Sequence, residues 1–153
     1  MKKNLFLLFL SLVSCVKDNG NLSKNEISNY QNEIIRTGNK DAYLQLMLYY
    51  RNNQDSIYTL LPYTFIMANK YNNPDAFLEL YQNLIKLNNN GIYKDSLIVN
   101  LRKQEADYAL SFLKRGSELN DVDCKVFLAK HYEKGFGITK NKKIADSLIN
   151  SIK

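Results

Sequence analysis

Side chains able to do chemistry are few in this chain of 153 residues, which has one histidine, His131, and two cysteines, Cys15 and Cys124. Hydrolytic or redox catalysis needs a nucleophile beside a base, or several His, Cys, Asp and Glu donors converging on a metal. One histidine with one free thiol cannot make a metal site of the usual kind. Cys124 occupies the small-residue position of a helical pattern, which suits a buried, inert thiol better than a nucleophile. Asp121 with Asp123, and Glu105 with Asp107, are the candidate paired carboxylates. The first pair reads as a helix N-cap and the second as adjacent faces of one helix. The loop Gly135-Phe136-Gly137 lacks the preceding strand and the third glycine of a dinucleotide site. No catalytic residue, metal or cofactor is expected, and the chain reads as a non-enzyme.

The elements that would position these groups are helices. From Ile27 onward apolar residues recur at three- and four-residue spacings without sustained alternation, as in Ile27, Tyr30, Ile34 and Ile35. Turns rich in Asn, Gly and Asp punctuate them at 37–39, 52–55, 72–75, 88–91 and 119–121. The expected fold class is all-α. One unit recurs three times: a small residue, a leucine four later and a large residue four after that, in Ala42/Leu46/Tyr50, Ala76/Leu80/Leu84 and Cys124/Leu128/Tyr132. Spacing of four keeps these positions on one face, where the small residue admits a neighbouring helix and the larger ones fill the groove. The copies lie 34 and 48 residues apart, the first separation being that of a tetratricopeptide repeat.

The N-terminus has a different pattern. Lys2 and Lys3 precede an apolar stretch of about nine residues, Leu5 to Val13, enough for a signal-peptide core and well short of the roughly 20 that span a bilayer. It ends in Leu12-Val13-Ser14-Cys15, which resembles the lipobox of bacterial lipoproteins, where a signal peptidase cuts just before a cysteine. The resemblance implies that residues 1–14 are removed and that a diacylglycerol on the Cys15 sulfur anchors the chain to a membrane. It further implies a place in the bacterial cell envelope, at the outer membrane or cell surface. An acylated Cys15 leaves Cys124 without a disulfide partner. Residues 15–25 are polar, contain glycine and read as a flexible tether, leaving 26–153 as the folded domain.

Removing residues 1–14 takes two lysines and no acid, so the formal charge falls from +6 to +4 over 139 residues. That is mildly basic, with no cluster dense enough for a nucleic-acid footprint. The densest basic stretch, Lys134, Lys140, Lys142 and Lys143, reads as the solvated turn of a helical hairpin.

That hairpin has the most specific signature. In Leu128–Ala145, Tyr132, Gly135, Gly137 and Ala145 match the pattern of a Sel-like repeat, with Ala129, Ile138, Asn141 and Ile144 as departures from it. The preceding stretch, Glu105 to Asn120, resembles the second helix of such a repeat, and Gly91-Ile92-Tyr93-Lys94-Asp95 resembles another of its loops. About ten inserted residues separate that loop from Ala109. The resemblance covers roughly 37–152 and implies two and a half to three repeats behind a capping helix near 24–36, wound as a short right-handed α-α superhelix.

Such repeats bind other proteins, and the first helix of each would line a concave groove. Tyr43, Met47, Phe77, Tyr81, Phe127 and His131 are the candidate partner-binding residues on these helices, each equally suited to core packing. Eleven tyrosines and no tryptophan suit a contact surface, because tyrosine joins a large apolar area to a polar tip. The expected function is a lipid-anchored, protein-binding module of the envelope, in particular an immunity protein or inhibitor capping a secreted toxin, since one short domain favours a cap over a scaffold. The alternative is an adaptor in polysaccharide or peptidoglycan assembly that binds carbohydrate or its enzymes.

Overall fold

A computed structural model describes residues 22–51 and 56–152 of the chain. The signal segment 1–14, Cys15, most of the tether and the turn at 52–55 lie outside those residues. Among the described residues every regular element is helical: α1 (Lys24–Thr37), α2 (Lys40–Arg51), α3 (Ser56–Tyr71), α4 (Pro74–Leu87), a 3-10 segment (Asp95–Asn100), α5 (Lys103–Glu118), α6 (Val122–Lys134) and α7 (Lys142–Asn150). None is long and apolar enough to cross a membrane.

Local chemistry explains the helix ends. Ser23 and Glu26 form a reciprocal capping box, so α1 starts at Lys24, within the stretch read as tether. Asn73, Asp121 and Asn141 each accept a backbone N–H of the first turn, which places α4, α6 and α7. Asn72, Asn90 and Asn120 hold left-handed backbone in the turns, as do Gly38, Gly91, Gly135 and Gly137. Asn and Gly enter that region at little cost, and this is why the turns could be found from composition.

Each helix packs against the next in sequence, α1 also touches α3, and α4 also touches α6. The result is three successive hairpins, α2/α3, α4/α5 and α6/α7, with α1 against the first. Ala42 and Leu46, Ala76 and Leu80, and Cys124 and Leu128 are all buried, so the recurring small residue and leucine form the seam of each first helix. Gly116 of α5 faces Cys124 of α6 so closely that a β-carbon there would lie 2.8 Å from the Cys124 Cβ. Arg115 ties α5 to α3: it donates to Asn69 Oδ1 at 2.7 Å and its guanidinium lies 4.6 Å from the Phe77 ring centre. Lys134, Lys140, Lys142 and Lys143 are all exposed, as a solvated turn requires.

Candidate functional site

The candidate groove residues mostly face inward. Tyr43 is 1% exposed, Phe77, Tyr81 and His131 are 0%, and Met47 is 9%. Only Phe127 is partly open, where it packs against the core. In α2 and α4 the first and fifth positions after the small residue are therefore buried beside the seam, whereas Phe127 and His131 are the third and seventh after Cys124. Tyr43 donates to Thr64 Oγ1 at 3.3 Å, and burial pushes its phenol above the ordinary range. Cys124 is likewise a buried thiol whose pKa burial raises, as expected for an inert one.

His131 is fully buried. Its ring is enclosed by Tyr81 and Phe136, each meeting it edge-on. Nδ1 lies 2.7 Å from the Phe136 carbonyl oxygen, which can only accept, so Nδ1 carries the hydrogen. Nε2 is then the acceptor, and the Tyr81 hydroxyl donates to it at 2.5 Å. Burial lowers the imidazole pKa and favours this neutral tautomer.

Polar contacts continue on the far side of Tyr81. The Tyr93 ring meets Tyr81 edge-on, and its hydroxyl donates to Asp95 Oδ1. Asp95 Oδ2 accepts from the Lys130 ammonium. Burial raises the pKa of both phenols, so both are donors at neutral pH. Asp95, 7% exposed, turns inward to Lys130 and Tyr93. The inserted 3-10 segment is thereby bound to α6.

A recess of about 450 Å³ opens where these elements meet, with Tyr93, Asp95, Phe127, Lys130 and Phe136 among its lining residues. Spacing did not mark Tyr93, Asp95 and Lys130 as a cluster, because the Asp95–Lys130 contact joins residues 35 apart in the chain. Among the described residues no three His, Cys, Asp or Glu side chains come close enough together to hold a metal.

The outward side of the first helices lies one position from the residues read as groove. The second residue after each small one is Leu44 on α2, Leu78 on α4 and Val126 on α6. Leu44 and Val126 are 44% and 42% exposed, and Leu78 is partly buried. Apolar residues thus recur in one register on three helices, exposed on α2 and α6 and packed against the core on α4.

No family model matches this sequence, and neither a curated protein nor a solved structure matches it at a significant level.

Proposed function

We propose that this chain is a lipid-anchored protein of a bacterial envelope that binds another protein through the outward face of its first helices. In this reading the three hairpins wind as a short right-handed superhelix of Sel-like type, and the partner is a toxin that the chain caps. The supporting observation is the common register of Leu44, Leu78 and Val126. Hairpins stacked in sequence order would carry these three side chains into one apolar row. Scattered exposed apolar residues are ordinary, whereas a row repeated in register presents a continuous area to a partner. The Leu12–Cys15 segment supplies the anchor, and the polar stretch after it would let the helical part stand off the membrane.

The test uses the full chain, tagged at its C-terminus and retrieved from its own cells. Wild type should hold one partner protein, and the double variant Leu44→Asp/Val126→Asp should lose it while melting at an unchanged temperature. Absence of any partner with wild type overturns the binding reading. Full retention by the folded double variant moves the interface to another face.

A further inference from the structure

We infer that the recess between the 3-10 segment and α6 receives an acidic side chain of a partner protein, with the Lys130 and Lys94 ammonium groups as its cationic contacts. This rests on the protein-binding reading above and names the chemistry that one part of the partner would bring.

The charge arrangement selects the ligand's sign. Asp95 is buried and both its oxygens are occupied, Oδ1 by the Tyr93 hydroxyl and Oδ2 by Lys130. A cation entering the recess would meet the Lys130 ammonium already paired with that carboxylate and the Lys94 ammonium beside it. An anion displaces nothing. The Lys130 side chain is 51% exposed, and its ammonium has three hydrogens of which Asp95 takes one. Lys94 also lines the recess, is exposed, and makes no ion pair with any described residue. The mouth therefore has one positive charge in excess, and Asp95 holds one of the two amines in place before binding. Preorganisation of this kind lowers the entropy cost of an ion pair, which otherwise cancels most of its worth at a surface.

The walls select the ligand's body. Phe127 and Phe136 are partly buried rings facing the same space, and Ser96 supplies a hydroxyl. An aliphatic stem ending in a carboxylate, as in glutamate, places methylenes against the rings and oxygens toward the amines. Inorganic phosphate has no stem for those walls.

The experiment follows backbone amide shifts of the nitrogen-15-labelled full chain in detergent micelles. The probes are N-acetyl-glutamate N-methylamide, the glutamine equivalent, and inorganic phosphate. The glutamate probe should shift the Ser96, Lys130 and Phe136 amides and saturate. The other two should not. Lys94→Met should weaken the glutamate probe by up to about five-fold, the scale of one exposed ion pair, and Lys130→Arg should retain it. Equal shifts by the glutamine probe or by phosphate, or glutamate shifts confined to other regions, overturn the inference. If wild type retains a partner from cells and folded Lys94→Met and Lys130→Met variants hold it equally well, the recess is not a contact and the protein-binding reading stands. If wild type retains no partner, that reading fails first, whatever the probes do.

Discussion

The Tyr81 hydroxyl and the Nε2 atom of His131 meet at 2.5 Å, although 50 residues separate them in the chain, and so join α4 to α6 inside the core. The contact fixes the roles of both groups: His131 gives its one hydrogen to the Phe136 carbonyl, leaving Nε2 to accept from the phenol. Tyr81→Phe keeps the ring and leaves a buried acceptor unpaired. It should cost about 1–3 kcal/mol, the desolvation penalty of such a group, as measured by equilibrium denaturation. A cost near zero would mean that water reaches Nε2 and that the pair does not hold the helices together.

Acid should loosen the same junction. Burial, the largest effect, lowers the His131 pKa from its ordinary 6.5, with Lys130 acting in the same direction and the Phe136 hydrogen bond and Asp95 opposing. Below that value the unfolded chain takes up a proton before the folded one does. The stability that depends on neutral His131 is therefore whole above about pH 6.5 and is lost as pH falls through the lower folded value. Denaturation midpoints of wild type should drop between about pH 7 and pH 5.5 more steeply than those of His131→Phe. Equal slopes would assign the acid sensitivity to other groups.

How far these features were legible depends on which physical constraint wrote them. Burial of one helix face imposes a period, so Ala42/Leu46, Ala76/Leu80 and Cys124/Leu128 could be placed from spacing alone, and all six are in the core. Left-handed turns select Asn and Gly, so the boundaries could be read as well. Spacing does not say how far the buried arc extends around a helix. Tyr43, Phe77 and Tyr81 lie beside the seam, and their burial depends on neighbours distant in sequence. Asp95 was hidden for another reason: its carboxylate serves Tyr93 and, 35 residues on, Lys130. Long-range pairing of that kind leaves no local signal.

Two left-handed glycines, Gly91 after α4 and Gly137 between α6 and α7, separate backbone strain from crowding. Gly137 has φ of +67° and a β-carbon there would lie 3.2 Å from the Ile98 side chain, whereas Gly91 has φ of +80° and open space around it. Gly91→Ala should therefore carry strain alone, about 1 kcal/mol. Gly137→Val adds pressure on a buried isoleucine and should cost more, about 2 kcal/mol or above. Thermal melts of the two variants give the comparison. Equal costs would show that Ile98 yields freely.

Anchoring is tested at Cys15. If the lipid on this sulfur is the sole attachment, Cys15→Ser should leave the chain either as uncleaved precursor or free of the membrane fraction after a salt wash. A variant that stays with membranes at wild-type level, cleaved and resistant to salt, would disprove lipidation as the means of attachment.

The close approach of α5 to α6 offers a test by coupling. On α5, Gly116 leaves room for the sulfur and β-carbon of Cys124 on α6, and a methyl at Gly116 would press on both. Overpacking at a site with no slack costs roughly 1–3 kcal/mol, because neither helix can retreat without disturbing the rest of the seam. Gly116→Ala should thus be strongly destabilising although alanine is the better helix former. Cys124→Ala should lose less, since it removes a single buried sulfur. In the double variant the new methyl meets only a β-carbon, so part of the Gly116→Ala penalty should vanish and the two changes should combine to less than their separate costs. A double-mutant cycle by chemical denaturation measures that term. Strict additivity would show that the helices move apart to accept the methyl, and that the Gly116–Cys124 contact does not set the spacing between α5 and α6.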